Sequence, residues 1–383
     1  MPTVELLRVP TTSKPEHESF SDFLGLYPRV HVALHLPAGK RPRTVVIGLH
    51  PTAASLLHPT LRAMVDRGFA AIGMAHRFYG NDSRLFMEEL LLDLGGAVRF
   101  ARQRGFENVV LIGSSGGGSV VTTYQSQAES PTITSTPAGD PPDLTREELP
   151  SADGIILVAA HPGRPRVLTD SLDPSVVDES DPHATDSSLD MYDPRNGPPY
   201  SPEFIARYRA AQEERNHRIT RWCWAKLAEL KQLGDGGEDL QFPVYRTNAD
   251  LCFLDPAVDP SERTTGTSAS TYRGDLRTVN RNAYGGMARC STYRSWLSQW
   301  SLSASNADGY HHASRISKPF FIVNFGADEG VFPRYSKGYY EAVSHSDKEL
   351  VTVAGAHHFV HTQPEVHNQA MDLLANWMRR KGF

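Results

Sequence analysis

The chain has 383 residues, of which 39% are hydrophobic and 22% charged, and its formal net charge is -5. That length exceeds one ordinary core and implies a large domain carrying an inserted module, while the mild acidity and absence of a basic run exclude nucleic acid or an anionic membrane as the main partner. Three scattered cysteines, an N-terminus without a charged start and apolar run, and no apolar window of bilayer length place the protein in the cytoplasm, with a small molecule as its expected partner and homo-oligomerisation left open.

Val4 to Val9 and Val30 to Leu36 read as edge strands, and the alternation in the second makes His31 and His35 solvent-facing. Thr44 to Leu49 is a continuous apolar run, the mark of a buried strand, and it leads into His50-Pro51-Thr52-Ala53-Ala54. Helical spacing follows over Leu56 to Arg67, then a short strand over Ala70 to Met74 and an amphipathic helix over Leu85 to Arg104. The next run, Val109 to Val121, passes from apolar residues into Gly113-Ser114-Ser115-Gly116-Gly117 and then into a helix reaching about Gln127.

A strand that turns sharply into a helix can hold one side chain at its tip in strained geometry, clear of the sheet. Glycines two before and two after the tip make room for that turn, and this selects Ser115 over Ser114, for which Ile112 would fill the crowded place. A serine hydroxyl becomes a nucleophile only beside a base, which in turn needs an orienting acid. Glu129 to Ser151 is an irregular excursion rich in Pro, Ser and Thr, and Gly154 to Ala160 returns to the sheet.

From Pro165 to Ala313 the strand and helix rhythm stops, apart from one long or broken helix over Pro202 to Leu233, and the stretch holds Trp222, Trp224, Trp296 and Trp300. Pro319 to Phe325 then reads as a buried strand ending at Asp328, a candidate acid. Glu349 to Val353 ends in Ala354-Gly355-Ala356-His357-His358-Phe359, where a histidine can swing over the sheet edge as the base. A metal reading of His357, His358 and His361 lacks an HExxH pairing or clustered carboxylates, so no metal or other cofactor is expected.

In these residues the chain resembles the α/β-hydrolase superfamily, with the likeness covering Val4 to Arg164 and Arg315 to Phe383. The resemblance implies an α/β fold with a doubly wound, mostly parallel sheet and an inserted, mainly helical cap: residues 1–164 and 315–383 as core, 165–314 as cap. It implies the catalytic order Ser115, Asp328, His358, with His358 chosen because an aromatic residue follows it and His357 remaining the alternative. It also implies an oxyanion hole from the N–H groups of Gly116 and Thr52, since Pro51 has none to give. His50, Trp222 and Trp296 are the expected substrate contacts, under a lid with an apolar or aromatic interior. The implied activity is hydrolysis of a carboxylic ester or related acyl bond of a small apolar or aromatic substrate through an acyl-enzyme. The alternatives are acyl transfer, amide or carbon-carbon bond cleavage by the same triad, or a non-catalytic receptor on this fold.

Overall fold

The structure, a computed structural model, describes residues 2–11, 29–39, 41–234, 238–263, 268–269, 272–273, 275–281 and 286–383. In chain order it forms β1 (Thr3–Pro10), β2 (Arg29–Leu36), β3 (Thr44–Gly48), α1 (Pro59–Asp66), β4 (Ala70–Ala75), α2 (Met87–Gln103), β5 (Asn108–Ser115), α3 (Gly117–Glu129) and β6 (Gly154–Ala160). Between β6 and the next sheet strand come α4 (Arg164–Ser171), α5 (Pro202–Gln232), β7 (Gln241–Pro243), β8 (Ser268–Ala269), β9 (Tyr272–Arg273), α6 (Leu276–Arg281), β10 (Cys290–Thr292), α7 (Tyr293–Gln299) and α8 (Gly309–Ala313). The chain closes with β11 (Phe320–Phe325), α9 (Pro333–Ala342), β12 (Lys348–Val353) and α10 (Pro364–Arg380).

One eight-stranded sheet has the order β1-β2-β4-β3-β5-β6-β11-β12. The pairs β1/β2 and β2/β4 are antiparallel and every other pair is parallel. Apolar runs with no polar alternation form the central strands because both their faces are covered. In β5, Val109 and Leu111 pack with α2 and α3 on one face, and Val110 and Ile112 with α1 and α10 on the other. Each such side chain taken fully out of water contributes about 1.5–3 kcal/mol. Helix starts carry their own signals: Pro202 opens α5 behind Ser201, whose Oγ accepts the Phe204 N–H at 3.1 Å.

β2 departs from its reading as an edge. β1 covers its free side, and His35 is buried, donating through Nε2 to Leu56 O at 2.7 Å. The segment that His35 holds crosses over β4 at Gly73, where a Cβ would stand 2.1 Å from Ser55 O. Period-two alternation reports two different faces, but which face meets water depends on a partner far away in sequence.

The segment between β6 and β11 is built around the 31-residue α5. Leu168, Ile219, Cys223, Phe242 and Trp296 form one of its apolar clusters. Among the described residues, no helix is long and apolar enough to cross a membrane.

Candidate active site

β5 ends at Ser115 with φ +51°, a left-handed conformation that a non-glycine residue holds only when its surroundings force it, at a cost of about 1–3 kcal/mol. The ladder to β6 shifts register there, so that Ser115 lies opposite Ala160, and the His161 N–H donates to Ser115 O at 3.2 Å. Both flanking glycines are sterically required: a Cβ on Gly113 would stand 2.7 Å from Gly117 O, and one on Gly117 2.3 Å from Leu49 O. Gly116 caps α3, so its N–H stands where a helix has no internal acceptor to offer and its dipole is positive.

The carboxylate of Asp328, in the loop after β11, has no exposed side-chain surface. Its Oδ1 accepts the N–H groups of Gly330 and Val331 at 2.7 and 2.8 Å, and its Oδ2 accepts from His358 Nδ1 at 2.8 Å. Nε2 is therefore the ring nitrogen left for chemistry. Burial alone would lower the His358 pKa, but the Asp328 charge and hydrogen bond, with help from Glu329, hold it above the ordinary histidine value. The neighbouring His357 takes a different acid: its Nδ1 lies 3.2 Å from Glu329 Oε1, and its side chain is 40% exposed.

Ser115 and His358 line one cavity of about 460 Å³ together with His50, Leu61, Ile112, Val158, Phe325 and Val360. Among the described residues no hydrogen bond joins Ser115 to His358, although both line this cavity. Among the described residues the lining contains no Asp, Glu, Lys or Arg. Two of its histidines are held neutral chiefly by burial, His50 pushed down to about 3 and His58 to about 4.

Three of the expected site residues sit differently from their sequence reading. The N–H of Thr52 is engaged within its own loop: it donates to His50 Nδ1 at 3.1 Å, and that of Ala53 does the same at 3.3 Å. The loop after β3 curls back on its own histidine, because a side-chain acceptor two residues upstream is the nearest partner for an otherwise unpaired N–H. Trp296 has no exposed surface and donates through Nε1 to Thr220 Oγ1 at 3.0 Å. Trp222 is 40% exposed and packs edge-on against Phe242 and Tyr293. Neither tryptophan lines the cavity at Ser115, whose described walls come from the sheet strands and the loops and helix starts beyond them. The apolar faces of both serve the interior of the inserted segment.

The residues that the sequence reading passed over cluster after β6. His161 is buried and neutral, its pKa pushed down to about 3 by burial and by the nearby His358 and Arg164. Arg164 is buried against the Trp300 ring at 4.6 Å and donates to Gln299 Oε1 and, at 2.6 Å, to Thr52 Oγ1. The signal for them was a second His-Pro pair at a strand end, His161-Pro162 after β6 matching His50-Pro51 after β3, since the carboxyl ends of parallel strands are where such sheets bind ligands.

No protein-family model and no curated protein matches this sequence. By fold the chain is similar to solved structures along its whole length. These include GrgF from Penicillium sp. sh18, titled an alpha/beta hydrolase (TM-score 0.55, 13% identity, 100% of each chain covered). They also include DcsB in complex with its substrate analogue (0.54, 11%, 99% of each). A third is a hypothetical protein from Pseudomonas aeruginosa (0.52, 14%, 99% of this chain and 94% of the other).

Proposed function

We propose that this chain, whose fold is that of the α/β hydrolases, is a serine hydrolase that cleaves a carboxylic ester or related acyl bond of a small, uncharged, largely apolar substrate. The observation that carries the reading is Ser115, held at φ +51° on the edge of a cavity that it shares with a histidine already hydrogen-bonded to a buried carboxylate. Strain of this kind persists where the surrounding structure maintains it, and here it holds the serine at a cavity shared with an imidazole whose other nitrogen is occupied.

In the proposed reaction His358 Nε2 takes the proton of Ser115 Oγ as the oxygen attacks the substrate carbonyl carbon. Asp328 keeps the ring in the tautomer with Nδ1 protonated and stabilises its charged form. The Gly116 N–H faces the oxygen on which negative charge grows. His358 returns the proton to the departing alcohol, then takes one from water, which attacks the acyl-enzyme; collapse of that second adduct releases the acid and gives the proton back to Ser115. Support for an uncharged substrate is the lining, whose described residues are mostly apolar and include neutral His50 and His58 but no Asp, Glu, Lys or Arg.

Residues 165–314 are read as a cap that closes the top of the sheet, with Arg164 at its root. The test is a panel of aryl and alkyl esters with matched amides and thioesters, run on the wild-type protein and on Ser115→Ala, with a fluorophosphonate probe in parallel. Turnover and labelling of the wild type, both absent in the variant, support the reading. Turnover that persists in Ser115→Ala refutes it.

A further inference from the structure

His50 lines the cavity in a tautomer set by its own loop. Its Nδ1 accepts the N–H groups of Thr52 and Ala53, so that nitrogen offers its lone pair and carries no proton. The single proton of the neutral ring is then on Nε2. That nitrogen lies 3.4 Å from the position a Cβ on Gly116 would occupy, beside the residue that follows the nucleophile. His50 also lines the cavity with Ser115 and His358. The turn that removes the Thr52 N–H from the site thus aims a ring N–H into it.

We propose that His50 is a catalytic residue, its Nε2–H joining the Gly116 N–H as the second donor to the oxyanion in place of the backbone of Thr52. The proposal rests on the serine-hydrolase reading above and adds a side-chain donor to it. Two features fix the donor in place. Pro51, which has no N–H and a restricted φ, packs its Cγ 3.1 Å from the same Gly116 position. Arg164 clamps the far side of the loop through Thr52 Oγ1 at 2.6 Å. The ring also stays neutral over the working pH range, because burial and the neighbouring Arg164, His161, His358 and His58 all oppose its protonation. A preorganised neutral imidazole can donate to growing negative charge without itself delivering a proton.

The experiment compares wild type, His50→Ala, His50→Gln and His50→Asn for kcat and KM on an aryl ester and for the rate of fluorophosphonate labelling. The expected result for His50→Ala is a kcat lower by about 10²–10³-fold with little change in KM, and slower labelling to match. His50→Gln or His50→Asn, which keep an N–H donor, should recover part of the loss. A kcat for His50→Ala within about three-fold of wild type overturns the proposal, as does an equal loss in all three variants, which would make the ring a loop brace only. If the wild type itself is not labelled, the hydrolase reading falls and this proposal with it; labelling that is equally fast in wild type and His50→Ala overturns this proposal alone. Should His50→Ala fail to fold, ¹⁵N spectra of the wild-type histidines decide the matter. An Nε2–H resonance of His50 that moves on adding a phenylboronic acid supports the assignment, and an Nδ1–H tautomer overturns it.

Discussion

The sheet core and the segment inserted between β6 and β11 bury polar side chains for opposite ends. In the core one group of them gathers at the cavity, where His358 Nδ1 bonds to Asp328 and His50 Nδ1 accepts from its own loop. In the insertion they do the work of a missing strand ladder. Arg215, with no exposed side-chain surface, donates to the carbonyls of Asp173 and Tyr245 at 2.9 and 2.8 Å and to the Glu179 carboxylate at 2.7 Å. Gln212 donates to Asp170 O and Leu172 O, and Asn216 to Thr169 Oγ1 and Trp300 O. Irregular backbone can be buried only if its carbonyls find donors, and side chains from α5 supply them. The two regions therefore differ in what a lost hydrogen bond should cost: turnover in one, folding in the other.

Asp328→Asn tests the core side most severely. It should lower kcat by about 10⁴-fold while the melting temperature changes little, because the shape remains and the tautomer is lost. A variant within ten-fold of wild type would break the contrast. On the other side, Arg215→Ala should destabilise the protein by about 3–5 kcal/mol, a factor of a few hundred or more in the folding equilibrium, by taking the buried donor from the Tyr245 carbonyl and leaving Glu179 with Arg218 as its remaining ion-pair partner. Denaturant titration measures that loss, and active-site titration should return a wild-type kcat for each molecule still folded. Trp296→Ala belongs with Arg215→Ala, at about 3–5 kcal/mol of stability and no change in KM for a small ester; a large rise in KM would put the tryptophan in the substrate's path after all.

The pH profile sharpens the comparison more gently. In the proposed reaction His358 must be neutral to take the proton, so kcat/KM should rise with pH through an inflection above the ordinary histidine value, and Asp328→Asn should move that inflection down. The sign for stability is the reverse: the ion pair contributes fully below the unfolded-state pKa and is lost as pH rises through the folded one. The smallest effect is expected at His357. His357→Gln should leave kcat within about three-fold, since this ring pairs with Glu329 and stands 40% exposed.

Much of the core was legible because each of its devices is local. An apolar run without alternation means a strand covered on both faces, as β3, β5, β6 and β11 are. The Gly113-Ser114-Ser115-Gly116-Gly117 turn is crowded by its own chain, and Asp328 and His358 each stand a few residues beyond a strand end. The insertion was opaque for the converse reason. Its short helices α4 and α7 are held by partners from distant parts of the chain, and two residues that bond to them or their ends, Gln212 and Asn216, look like the polar face of a surface helix, as does Arg215, which holds the loop carbonyls. Its tryptophans suggested a substrate pocket by type alone, and type does not say what a ring packs against.

The sequence by itself determined the order of the strands along the chain, the place of the sharp turn and the residue types available at each strand end. Periodicity, glycine sterics and turn chemistry act over a handful of neighbouring residues, and a linear reading captures them. Only the tertiary structure decided that β1 would cover β2, that His358 and not His357 would meet Asp328, and that the Thr52 N–H would turn to His50. Those outcomes depend on which of several chemically equivalent partners lies within about 3 Å once the chain has packed, and hydrogen-bond strength falls away too steeply beyond that distance for residue identity alone to choose.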